Sequence, residues 1–204
     1  MLKRFRYWFV NVYWYHYRIH TIAVILVAIL AAFIIHDITS REFYDLKFVL
    51  ASSEFIAEEH GELLSDAFTE AGKDLDGDGK VLIAPYVMLF DGSPVELEHT
   101  QKFAISFQEK ECSLYIVGES QLDRLSEAAG FVDLSALGIK TLPGKPWLAD
   151  LSGSDLLEAC YITREPMAAA VRRLPGESAG NPDTGWTANR ELALDFLRML
   201  AEGT

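Results

Sequence analysis

Hydrophobic positions in this chain form one long block, followed by shorter runs whose period changes. Ile22 to Ile35 is an unbroken apolar stretch of fourteen residues. It has neither a polar face nor the 3.6-residue pattern of a helix packed on a soluble core. A bilayer core of roughly 30 Å takes about 20 helical residues, and the stretch reaches that length when it is extended over 19–38. No small-x-small site follows in HDITSREF, so an uncleaved signal-anchor is expected rather than a cleaved leader.

Strand-like and helix-like runs then alternate. FYDLKFVLAS reads as a first strand. Ile56, Leu63, Leu64, Ala67, Phe68 and Ala71 share one face of a helix over 54–72, with Ser53 as its cap. VLIAPYVMLF is a second strand, and Pro85 places it at an edge or a bulge because proline donates no ladder bond. A helix over 96–109 carries Phe103 and Phe107, and CSLYIVG is the third strand. Ser120 and Asp123 open a further helix, QLDRLSEAAG, in capping-box fashion.

Past Gly130 the pattern predicts a long surface connection, a fourth strand around 159–163, and a short strand or helical turn over 168–173. PGESAGNPDTG reads as loop, and a last helix runs over 188–202 with Thr187 as cap. Strand, helix, strand, helix, strand, helix is the order of an α/β protein. The expected architecture is a transmembrane helix followed by one compact domain, a mainly parallel sheet flanked by helices. The expected divisions are a cytoplasmic basic and aromatic segment (1–18), the anchor (19–38), a linker (39–42) and an extracytoplasmic domain (43–204).

Charge adds direction to that layout. The chain carries −12 and its first 36 residues +4, from Lys3, Arg4, Arg6 and Arg18, which leaves −16 on the rest. Cationic flanks stay in the cytoplasm, so the amino terminus is expected inside and the acidic domain outside. The rings of Tyr7, Trp8, Tyr13, Trp14, Tyr15 and Tyr17 suit the headgroup layer of the lipid bilayer. An acidic domain lacks the basic footprint that nucleic acid requires.

Asp74, Asp76 and Asp78, with Gly79, fit the opening positions of a calcium loop, but the closing bidentate Glu is missing because that position falls on Pro85. The ordinary use of such residues is an Asp/Gly turn, and no metal or cofactor is expected. His60 and His99 read as parts of solvated charged faces. Cys112 and Cys160 are the only cysteines, and a disulfide and two buried free thiols are both open. No nucleophile elbow, P-loop, CxxC or HExxH occurs. A non-enzymatic role is expected; the alternatives are an enzyme that would rest on acidic loops at 74–78 and 181–185, and a structural anchor without ligand.

YDLKFVLAS, TQKFAISFQEKECSLYIVGESQLDRLSEAAGFVDLSAL and TANRELALDFLRMLAEG together resemble one lobe of the extracellular solute-binding proteins that serve ABC importers. Those proteins have two lobes, whereas this chain has room for one. The resemblance implies a binding or interaction module whose partner is another membrane protein or a small solute. It also implies a ligand at the carboxyl ends of the strands, at Ser52, Ser53, Glu54, Glu119 and Ser120. The competing role for these residues is helix capping.

Overall fold

The computed structural model describes residues 7, 14–39, 44–75, 77–109, 111–125, 130–162, 165–173 and 184–202. The chain divides into two units, residues 1–42 and 43–204. In the first unit, helix α1 covers Trp14–Thr39. Its span Tyr17–Asp37 is 21 residues long, entirely unburied, and apolar enough to cross a membrane. At 1.5 Å per residue it reaches about 32 Å. Thr21 returns its hydroxyl to the Tyr17 carbonyl at 3.0 Å, so this polar side chain is satisfied within the helix.

The second unit is an α/β domain built on one six-stranded sheet of order β2-β1-β3-β6-β5-β4. In chain order its elements are β1 (Leu46–Ser52), α2 (Glu58–Ala71), β2 (Ile83–Leu89), α3 (Glu96–Gln108), β3 (Leu114–Gly118) and a 3-10 segment (Glu119–Leu125). There follow β4 (Thr141–Leu142), β5 (Lys145–Asp150), α4 (Asp155–Ala159), β6 (Met167–Val171) and α5 (Thr184–Ala201). β1 pairs in parallel with β2 and with β3. The β3–β6, β5–β6 and β4–β5 pairings are antiparallel. The expected mainly parallel sheet is therefore met only in the half built by the first three strands.

Alternation along the strands sorts side chains onto two faces. Leu46, Phe48 and Leu50 of β1 join Leu64 and Phe68 of α2 and Leu192, Phe196 and Leu197 of α5 in one cluster. The Phe68 and Phe196 rings stack at 4.4 Å. On the other face Val49 and Ala51 meet Phe103, Tyr115, Phe131, Leu148, Ala168 and Ala170. β6 is MAAAV and wholly buried, and its small side chains leave room for layers on both faces of the sheet.

Several expectations give way. α2 starts at Glu58, and its cap, Ala57, offers no side-chain bond; Ser53 is used elsewhere. The segment read as a surface connection contains the β4–β5 hairpin, and Phe131, Leu134 and Leu148 within it are buried. Of the strand expected around 159–163, none is found among the described residues, 159–162. Asp155–Ala159 is a short helix capped by Ser154, whose hydroxyl accepts the Leu157 N–H at 3.4 Å. The run of capping and turn residues outweighs the β-propensity of CYIT at this place. Ser120 opens a 3-10 segment rather than an α-helix. The last helix begins at Thr184, so Thr187 lies inside it. The loop expected at 175–185 falls largely outside the described residues.

Candidate functional site

β1 lies between the two strands that follow it in sequence, so the chain crosses from one side of β1 to the other at its carboxyl end. Open α/β sheets bind ligands at such a switch point. β6 runs antiparallel to β3, with Gly118 opposite Met167. The residues just before β6 therefore arrive at the same end of the sheet. They bring Glu165.

The Glu165 carboxylate gathers the donors of that end. Ser52 Oγ donates to Oε1 at 2.5 Å and the Ser53 N–H to the same oxygen at 2.9 Å. Ser120 Oγ donates to Oε2 at 3.0 Å and Ser53 Oγ at 3.4 Å. Partial burial opposes its charge, but the hydrogen bonds from the Ser52, Ser53 and Ser120 groups prevail and hold its pKa below the usual glutamate range. Among the described residues no cation is ion-paired with it. Gly118 makes the seat possible, because a Cβ there would collide with the carboxyl group of Glu165.

Polar bonding continues outward from this seat. Gln121 Nε2 donates to Ser120 Oγ at 3.2 Å, and Arg124 Nε donates to Gln121 Oε1 at 2.6 Å. Arg124 also pairs with Glu96 at 2.8 Å and lies 4.0 Å over the Phe90 ring. Of the residues for which the resemblance left ligand binding and helix capping open, Ser52, Ser53 and Ser120 thus converge on Glu165. Glu54 and Glu119 contribute only backbone N–H groups, to Ser52 Oγ and to the Pro166 carbonyl.

Space beside the seat is small. A pocket of about 20 Å³ lies among Ser52, Ile56, His60, Tyr161, Ile162 and Glu165, room for a water and little more. Phe55 and Tyr161 stand 67% and 69% exposed at its rim. Tyr161 has φ of 60°, a left-handed conformation that costs a bulky L-residue roughly 1–2 kcal/mol. A shallow depression of about 420 Å³ lies on the other side of Glu165, over Ser152, Ser154, Leu157 and Pro166. Its hydroxyls are already engaged, Ser152 with Asp150 and Ser154 with the α4 amino end.

The larger concavity is at the sheet edge. A groove of about 660 Å³ runs along β2 from Ile83 to Met88, with Glu58, Glu62, Ser65 and Asp66 of α2 on one wall and His99 and Lys102 of α3 on the other. The Phe90 N–H points inward to the Ser52 carbonyl at 2.9 Å. By alternation the backbone groups of Ile83, Pro85, Val87 and Leu89 point outward. Ser65 Oγ donates to the Ile83 carbonyl at 2.6 Å, and the Leu89 N–H donates to His99 Nδ1 at 2.8 Å. His99 is therefore a cap on the edge strand and not part of a solvated face. Pro85 has no N–H to offer. Among the described residues, the Val87 N–H and C=O and the Pro85 C=O have no partner.

The remaining candidates are accounted for locally. Both oxygens of Asp74 accept backbone N–H groups, from Gly77 at 2.6 Å and from Gly79 at 2.8 Å, and Asp78 accepts the Lys80 N–H at 2.8 Å. This is the Asp/Gly turn; Asp76 lies outside the described residues. No group of three or more metal-ligating side chains is found among the described residues. Cys112 and Cys160 are free and buried. Burial, reinforced by neighbouring Glu111, pushes the Cys112 thiol up to about 12.

No signal in the sequence ties Glu165 to serines more than a hundred residues earlier, although Glu-Pro before a run of small apolar residues marks a strand start. A scan against protein-family models and comparisons with curated proteins and solved structures find no match to this chain.

Proposed function

We propose that this chain is a single-pass membrane-anchored interaction module, with its amino terminus in the cytoplasm and its α/β domain outside, that engages a protein partner at the β2 edge. The basic flank before α1 and the acidic composition after it support the orientation. One observation carries the choice of partner over solute. The polar groups at the carboxyl ends of the strands already serve Glu165, whereas the open backbone groups lie in the β2-edge groove.

The single-lobe, solute-capturing reading is favoured by the 420 Å³ depression beside Glu165, which is of ligand size. A thermal melt of the full chain in detergent against sugars, amino acids and short neutral peptides separates the two. A solute at 100 times its dissociation constant adds about 2.7 kcal/mol, so a binder is readily seen. The interaction module predicts an unmoved midpoint with every sugar and amino acid, and a shift with one of them overturns it. Protease added outside sealed vesicles should digest residues 43–204; protection there would reverse the orientation.

A further inference from the structure

We propose that the free edge of β2 accepts an extended segment of a partner protein in which Lys or Arg alternates with apolar residues. This rests on the interaction-module reading and names the chemistry of what it binds.

The backbone sets the mode. Val87 presents an open N–H and C=O in the middle of the groove floor, and Pro85 an open C=O beside them. A strand laid along the groove supplies the complementary groups, extending the sheet as in strand addition. The ends of the edge are covered by Ser65 and by His99, so the docked stretch is short and centred on Val87.

The walls set the side chains. Glu58, Glu62 and Asp66 follow one another at four-residue intervals along α2 and line the same wall. None of the three is in an ion pair among the described residues. Lys102, opposite, is paired to Glu98 at 2.7 Å. Four helical residues rise about 6.0 Å, and two residues of a strand advance about 6.7 Å. A strand with a cation at every second position therefore meets this acidic row nearly in step. α2 rides close over the edge, because a Cβ on Gly61 would lie 2.8 Å from Val87 Cγ2, and this keeps the row near the groove floor. The intervening side chains of the added strand face Tyr86, Met88 and α3, where apolar residues suit the surface and the Lys102 charge disfavours cations. A second copy of this chain docked by the same edge would set two such acidic rows against each other, which argues against self-pairing here.

The probe is a fluorescent, end-blocked peptide of alternating Lys and Val, seven residues long. Its binding is read by anisotropy on the full chain in nanodiscs of neutral lipid. Saturable binding is expected, weakened at least tenfold by Val87→Pro and several-fold by Glu58→Gln with Glu62→Gln. Val87→Pro removes an outward N–H and leaves the β1 ladder intact. A peptide N-methylated at every second residue keeps its charge, loses the donors that face the edge, and should not bind; this arm holds even if the proline variant fails to fold. Equal binding of the N-methylated peptide overturns strand addition and leaves only nonspecific charge attraction. If an alternating Ser and Val peptide binds as well as the Lys and Val peptide, and loses binding with Val87→Pro, the proposed charge pattern is overturned while the interaction module stands. No binding by any of these peptides overturns the inference; the solute melts test the underlying reading separately.

Discussion

Gly118 and Glu165 are a test pair at the scale of single residues, because each matters through the other. Gly118→Ala drives a methyl group into the space of the carboxylate, and Glu165→Ala vacates that space. Residues in direct contact couple by about 0.5–3 kcal/mol in double-mutant cycles. Gly118→Ala should lower the thermal midpoint clearly in the native chain and little in the Glu165→Ala background; equal losses in both would mean that Gly118 serves the backbone alone. The pH dependence has a defined sign. The folded-state pKa of Glu165 is depressed, so its stabilisation is complete above about pH 4.3 and is lost as pH falls through the folded value. Glu165→Gln should flatten the acid limb of the stability curve. Tyr161 carries strain instead of relieving it, and Tyr161→Gly should raise stability by about 0.5–1 kcal/mol in a urea titration, the left-handed strain removed less the added freedom of the unfolded chain.

At the scale of elements, the first half of the domain was legible because its periods are clean. Phe48 and Leu50 alternate with Val49 and Ala51, and Leu64 and Phe68 recur at helical spacing, so β1 and α2 could be read from pattern alone. Pro85 also marked β2 as an edge or bulged strand, and it lies at the edge. The hairpin of Thr141–Leu142 with Lys145–Asp150 was hidden because β4 is two residues long and the turn residues around it resemble a loop. Glu165 and His99 were hidden for another reason: each acts on residues of a different element, and no local period records a contact between strands. The edge itself makes a measurable claim. In native-state hydrogen exchange the Val87 amide should exchange far faster than those of Met88, bonded within the ladder, and Leu89, covered by His99. Strong protection of Val87 would mean that the edge is already covered.

At the scale of the whole molecule, charge sets the behaviour. The residues after 36 carry −16, and the described ion pairs leave most of their carboxylates unmatched. Self-repulsion of this kind lowers the stability of the compact state and is screened within about 10 Å at 0.1 M salt. Raising sodium chloride from 10 to 200 mM should therefore raise the thermal midpoint of the native chain, as followed by circular dichroism. A midpoint that falls would show that the few local ion pairs, such as Arg124 with Glu96, outweigh the net charge.

The placement of α5 has a consequence for how the protein is made. Leu192, Ala193, Phe196, Leu197 and Leu200 complete the cluster around Phe48 and Leu50, yet they are synthesised 140 residues or more after β1. A chain emerging amino end first carries that face of the central strand bare until α5 appears, and exposed apolar surface of this kind invites aggregation. Quality control therefore meets its decisive moment when α5 emerges, because that one helix converts an incomplete sheet into a closed core. A stop before α5 would yield not a slightly shorter domain but a substrate for chaperones and proteases.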